Sequence, residues 1–255
     1  MKIGMCVNAG LDKIEFAAKC GFDYIEYRFA HLADSSDEEF SALCHCLQEN
    51  NILCESVNCF IPAHFNLLGD KLDYKGLSEY IERGMKRGLS IGLKTVVFGS
   101  GKARSVPEGM SYAEAFRQLT YFLKNIVAPI AEKYSITVVI EPLSLSDSNF
   151  INTAKQGVML AAAANSESIK GLVDFYHMSN MNDSCQNIID LKGCIHHAHV
   201  AEPLTRATPT LGTEDTYREF FAALRTAGCE RCSIEATHKD FFAEIADGLS
   251  VLRNI

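Results

Sequence analysis

The sequence predicts a single (β/α)8 barrel occupying residues 1–255. Three observations predict it. Short β-branched apolar runs alternate with amphipathic runs from end to end of the chain. Each pair takes roughly thirty residues, the size of a βαβ unit. No low-complexity linker divides the pairs. Eight such units in 255 residues is the arithmetic of a closed barrel. An open doubly wound sheet is the alternative, but it gathers ligands at one switch point. Here charged residues recur at the ends of many strand-like runs.

In order, Ile3 to Asn8 reads as a strand and Leu11 to Cys20 as a helix, with Gly21 suited to the position that ends it. Tyr24 to Arg28 is a second strand. Ser35-x-x-Glu38 has the form of a capping box and opens a helix to about Asn50. Leu53 to Phe60 is a third strand, and Pro62 to Leu72 a loop. A helix from Tyr74 to Leu89 precedes strand Thr95 to Phe98, which Gly99-Ser100-Gly101 interrupts. Ser111-x-x-Glu114 is another cap signal, and Phe116, Leu119, Leu123, Ile126, Val127 and Ile130 keep a helical stripe behind it. Thr137 to Leu143 is the fifth strand, and Thr153-x-x-Gln156 caps a helix to Ala164. Gly171 to His177, Cys194 to Glu202 and Cys232 to His238 are the last strands. Between and after them lie helices over Cys185 to Leu191, Thr216 to Ala227 and Phe241 to Leu252.

Hydrophobic residues make up 47% of the chain, enough for a full core. The formal net charge of −8 argues against nucleic acid or an anionic membrane as partner. The ten cysteines are scattered through apolar runs, and Cys44-His45-Cys46 has no second pair at zinc-finger spacing. They read as reduced thiols of an intracellular protein. No signal peptide or membrane-spanning run is visible, so the expected location is cytoplasmic.

The organising stretch is Thr137-Val138-Val139-Ile140-Glu141-Pro142-Leu143. A strand buried on both faces has no use for a lone carboxylate at its end, because desolvating it is costly. Pro142 cannot extend the ladder. Asp174, His199 and Glu235 stand in the same manner at the ends of the next three strands. Alternation puts Val139 with Glu141, His197 with His199, and Ser233 with Glu235 and Thr237 on lumen faces. Strand ends at the C-terminal mouth are where barrel sites are built. Mostly oxygen ligands with one imidazole suit Mn²⁺, Mg²⁺ or Co²⁺ and admit Zn²⁺. The competing reading is four unrelated rim residues, each in its own ion pair; four at successive strand ends favour one divalent metal site.

The runs Glu141-Pro142-Leu143, Asn149-Phe150-Ile151-Asn152-Thr153, Val173-Asp174-Phe175-Tyr176-His177-Met178 and His197-Ala198-His199-Val200-Ala201-Glu202 resemble the xylose isomerase-like sugar phosphate isomerase/epimerase family, ketose 3-epimerases in particular. The likeness runs from about the third strand to the C-terminus. It implies that Glu141, Asp174, His199 and Glu235 bind one divalent cation. It implies that His177 and Arg206 touch substrate oxygens, and that the two glutamates exchange protons with the sugar. It also implies a homodimer or homotetramer. The chemistry agrees: a cation holding the carbonyl and a neighbouring hydroxyl stabilises the enediolate left by deprotonation. One carboxylate removes the proton and a second returns it. Glu141 and Glu235 are that pair.

Other positions carry less. His177 follows Asp174 by three, so it must lie where the strand turns into loop. The family places its arginine one residue nearer the histidine than Arg206 stands. Asp147 occupies the place of a substrate-binding glutamate, with a shorter side chain. Asn58 can reach a substrate oxygen or bond to backbone. Glu26 reads as a barrel-interior ion pair or a substrate contact, and His197 as a packed interior residue. Gly99-Ser100-Gly101-Lys102-Ala103-Arg104 could hold a phosphate, a weak signal from one glycine-rich turn. The expected function is therefore a metal-dependent isomerase or epimerase of a ketose or sugar phosphate. The alternatives are an endonuclease IV-like phosphodiesterase, a keto-polyol dehydratase, and a non-catalytic sugar-binding protein. The nuclease needs extra histidines at early strand ends, whereas His31, His45 and His64 read as loop, helix and loop.

Overall fold

In the computed structural model of the chain, residues 1–70 and 72–255 are described. Eight parallel strands close on themselves in sequence order. They are β1 (Lys2–Asn8), β2 (Tyr24–Arg28), β3 (Ser56–Asn58), β4 (Thr95–Phe98), β5 (Thr137–Ile140), β6 (Ile169–Asp174), β7 (Ile195–Val200) and β8 (Arg231–Ile234). The seam is the β1–β8 pairing, from Lys2 opposite Arg231 to Met5 opposite Ile234.

The outer layer is α1 (Leu11–Cys20), α2 (Phe29–Asp34), α3 (Asp37–Glu49), α4 (Tyr74–Leu89), α5 (Tyr112–Phe122), α6 (Ala128–Tyr134), α7 (Ala154–Ala164), α8 (Phe175–Asn180), α9 (Cys185–Asp190), α10 (Glu214–Ala227) and α11 (Phe241–Arg253). A π-helical turn over Leu123–Val127 joins α5 to α6, so the stripe read from Phe116 to Ile130 is one interrupted helix. Of the expected loop Pro62 to Leu72, Lys71 lies outside the described residues; the rest carries no helix or strand.

Three local expectations are corrected, and the Ser111 cap is found as expected. The capping box of α3 is Ser36 with Glu39, not Ser35 with Glu38: the Ser36 side chain accepts from Glu39 N while the Glu39 carboxylate accepts from Ser36 N. Ser111 caps α5 by accepting from Glu114 N at 3.2 Å. His31 lies in the short helix α2 rather than in a loop. Strands three, five, six, seven and eight are shorter than read, and Glu141, His177, Glu202 and Glu235 belong to the loops or helices that follow. The clearest case is β6, which stops at Asp174. That carboxylate accepts from His177 N at 3.1 Å and caps α8, so Phe175 to His177 coil instead of extending.

The lumen is divided in two. On the side of strands four to six, Val97, Val139 and Leu172 form a small apolar cluster of their own. On the side of β2, β7 and β8, Tyr24, Ser233, Glu26, His197 and His199 form a fully buried polar stack. Tyr24 requires glycine at position 4, where a Cβ would sit 2.2 Å from its ring. Between strands and helices lies the main core, with Phe29, Phe60, Phe98 and Phe122 in a run of edge-to-face rings.

Candidate active site and metal centre

Strand parity builds the site as the alternation of side chains requires. Glu141 lies two residues beyond Val139 and Asp174 two beyond Leu172, so both continue the lumen face of their strands at its C-terminal end. His199 sits on β7 opposite Asp174 on β6 and Ser233 on β8. Glu235 follows β8 by one residue, its N–H still bonded to Val200 O at 3.1 Å.

Ligand atoms of Glu141, Asp174, His199 and Glu235 all lie within 4.8 Å of one another. His199 Nδ1 is 3.2 Å from Glu141 Oε1, 3.5 Å from Glu235 Oε2 and 3.9 Å from Asp174 Oδ2. Glycine at 99 leaves room for this grouping, since a Cβ there would meet Glu141 Oε2 at 2.2 Å. Three carboxylates that converge out of water repel one another and call for a positive charge among them. Oxygen donors with one imidazole nitrogen suit a divalent cation, so the residues present fit a metal ion. Outside the group Glu235 pairs with Arg206 and His199 with Glu26, while among the described residues Glu141 and Asp174 pair only with His199, so the four are not in four separate ion pairs.

The electrostatics are asymmetric. Burial, then the neighbouring charge of Glu235, pushes Glu141 above its usual value, against the pull of His199. Burial would also raise Glu235, but the charges of His199 and Arg206 outweigh it and hold this carboxyl well below the usual range. Burial lowers His199, and the charges of Glu26 and Glu235 more than reverse that. Pairs of carboxyls driven apart in this way are characteristic of acid/base sites.

The remaining expected site residues all reach the same mouth. Asn58 Nδ2 donates to Glu235 Oε1 at 3.1 Å. Arg206 Nη2 donates to Glu235 Oε2 at 2.6 Å, with the guanidinium 5.1 Å from the Tyr176 ring centre. Asp147 stands at the rim, with side-chain exposure of 42% and its carboxylate accepting from Ser144 and Ser146 hydroxyls. His177 is buried in the first turn of α8, not in a loop. Ser144 N donates to its Nδ1 at 3.1 Å, so the ring hydrogen resides on Nε2. That Nε2 is buried and has no partner among the described residues, which leaves an N–H available for a substrate oxygen.

Two expectations fare differently. Arg104 does not face a phosphate. It is fully buried, and Nη2 donates to Glu141 O at 2.6 Å. Glu26 is a barrel-interior group as read, but its partners are His197 and His199, each at 2.9 Å. Ser144 was not singled out by any sequence signal, because its role depends on a loop that returns to α8.

A family model described as "Xylose isomerase-like TIM barrel" matches residues 14–255. A curated relative, D-psicose 3-epimerase of Agrobacterium fabrum, is 23% identical over 197 residues, covering 74% of this chain and 66% of the relative's length. Among solved structures, D-psicose 3-epimerase with D-tagatose from Clostridium cellulolyticum H10 superposes with a TM-score of 0.87 at 21% identity, covering 100% of this chain and 99% of the other. The apo form of 3-keto-D-glucoside 4-epimerase from E. coli gives 0.84 at 21% identity over 100% of both chains. At these identities the structural likeness concerns the fold.

Proposed function

The chain belongs to the xylose isomerase-like TIM barrel family, and from that premise we propose that it is a divalent-metal-dependent isomerase or epimerase of a ketose or ketose phosphate. One observation carries the reading. Glu141 and Glu235 present carboxylates to a common point, with His199 Nδ1 between them at 3.2 and 3.5 Å. The likeness to D-psicose 3-epimerase supports the substrate class.

A divalent ion held by Glu141, Asp174, His199 and Glu235 would polarise the substrate's carbonyl and the adjacent hydroxyl. The protein's own part is proton transfer. A C–H beside a carbonyl is a weak acid, and two carboxylates can remove its proton and return one. Return to the opposite face of the same carbon is epimerisation; return to the neighbouring carbon is isomerisation. Asn58 and Arg206 hold Glu235 by both its oxygens. His177 offers Nε2–H to a sugar oxygen, and Asp147 closes the rim. A dehydratase would use the same proton abstraction and then expel a hydroxyl. The nuclease reading loses support, since among the described residues the only histidine in a candidate metal group is His199.

The test is incubation of the metal-loaded protein in D₂O with ketoses and their phosphates. Deuterium is expected at one carbon next to the carbonyl, and its position separates epimerisation from isomerisation. Glu235→Gln should slow that exchange by about 10²–10⁴-fold with the fold intact. Undiminished exchange in this variant would defeat the acid/base assignment.

A further inference from the structure

The polar stack beneath the candidate metal centre has no part in the proton transfer, yet its central carboxylate is hydrogen-bonded through both oxygens. Glu26 lies at its middle and is fully buried. Its Oε1 is 2.9 Å from His199 Nε2. Its Oε2 is 2.9 Å from His197 Nε2 and accepts from Ser233 Oγ at 2.8 Å. Ser233 Oγ lies 3.0 Å from Tyr24 OH, which extends the chain toward the bottom of the barrel. A carboxylate can accept four hydrogen bonds and donate none. Both histidines must therefore turn an N–H toward it through Nε2.

For His199 the consequence is chemical. With Nε2–H committed to Glu26, the lone pair that can ligate is on Nδ1, the nitrogen that faces Glu141, Asp174 and Glu235. A ring free to flip would offer the cluster a carbon edge or an N–H as often as a lone pair. Among the described residues His197 Nδ1 has no partner, and Nε2 of that ring meets only Glu26 and, at 3.3 Å, Ser233 Oγ.

We propose that Glu26 is the positioning residue of the metal centre, fixing His199 so that Nδ1 is the ligating nitrogen, with His197 and Ser233 fixing Glu26 in turn. This rests on the metal-centre reading above, and metal affinity tests it without reference to turnover. A carboxylate behind a ligating imidazole orients the ring and raises its basicity, and its loss weakens metal binding about 10–100-fold.

The measurement is competition of Mn²⁺ or Zn²⁺ against a chromogenic chelator at fixed pH. Glu26→Gln keeps the side-chain volume but loses the charge and one acceptor oxygen. It is expected to bind about 10–100-fold more weakly. Cys6 Sγ lies within 4.8 Å of ligand atoms of Glu26 and His199, a second grouping that could itself hold an ion. Cys6→Ala separates the two, and is expected to leave affinity within twofold. Glu26→Gln binding as tightly as the wild type overturns the proposal, and so does an equal loss in Cys6→Ala, which would put the ion in the lower grouping. Should Glu26→Gln fail to fold, ¹⁵N spectra of the zinc-loaded wild type decide. Zinc on Nδ1 with a hydrogen on Nε2 of His199 is expected; zinc on Nε2 overturns the proposal. A protein that binds metal through Nδ1 yet exchanges no substrate proton would sink the proposed function and leave this inference standing.

Discussion

At the scale of single residues, Arg206 holds a demanding position. Its φ of +58° is left-handed, a conformation that costs an L-residue roughly 1–2 kcal/mol. In return its guanidinium reaches Glu235 at 2.6 Å and lies over the Tyr176 ring. A planar fork that stacks and donates cannot be replaced by a point charge. Arg206→Lys keeps the cation and loses the stacking and the fork. The expected outcome is a drop in the deuterium-exchange rate of about 10–100-fold, the worth of one charge-assisted hydrogen bond, with little change in melting temperature. An unchanged rate would make Arg206 an anchor for the loop after β7 and nothing more. The same kind of strain recurs nearby. Cys59, Ser100 and Ile151, in loops that follow β3, β4 and β5, also have positive φ. For the β-branched Ile151 this is a true outlier, held because its side chain is fully buried. Strain kept at the mouth of a rigid barrel marks where geometry has been over-determined for use.

At the scale of elements, the bottom of the barrel is tied by one carboxylate. Glu55, just ahead of β3, accepts from Lys2 of β1 at 2.8 Å, Lys94 beside β4 at 2.9 Å and Arg231 of β8 at 3.0 Å. Burial would raise its pKa, but the hydrogen bonds from Lys2 and Lys94 and the charge of Arg231 outweigh it and depress the value. A depressed carboxyl contributes stability above its unfolded pKa, about 4.3, and loses it as pH falls through the folded value. Glu55→Gln is therefore expected to cost about 2 kcal/mol near neutral pH, a modest figure because the two lysines are half-exposed. Urea titrations at a series of pH values check it: the gap between wild type and variant should close below about pH 4, and a gap independent of pH would rule out the charge as its source. Elements also decide what could be read in advance. Glu141, Asp174, His199 and Glu235 were legible because strand parity is local, and a polar residue ending an apolar run has few uses. Helix α8 was not, because Phe175 and Tyr176 favour strand on composition and only the Asp174 side chain, bonded to His177 N, turns them into a helix. The partners of Glu26 were illegible for another reason. β2 and β7 are not neighbours, so their meeting across the lumen depends on closure of the whole sheet.

At the scale of the molecule, the barrel carries four carboxylates toward one end of its lumen, Glu26, Glu141, Asp174 and Glu235, on a chain whose net charge is −8. Desolvated like charges oppose folding, and among the described residues His199 is the only imidazole in contact with all four. A divalent ion that binds only the closed barrel should therefore act as a folding ligand. At a free concentration one hundred times its dissociation constant it adds about 2.7 kcal/mol. For a domain of this size each kcal/mol moves the midpoint by roughly 2–4 °C, so the expected rise is about 5–10 °C. Thermal melts with Mn²⁺, then with excess chelator, measure it, and K⁺ at equal ionic strength controls for screening, which acts on exposed charges far more than on this buried group. The ligands come from β5 to β8, but β8 closes the barrel against β1 and β5 pairs with β4, so the rise should appear in a single transition for the whole barrel. A melt that ignores Mn²⁺, or that K⁺ shifts equally, would remove the cation from the account of this site. The convergence of Glu141, Asp174 and Glu235 would then need another source of positive charge, and Arg206 and His199 are the nearest groups able to provide it.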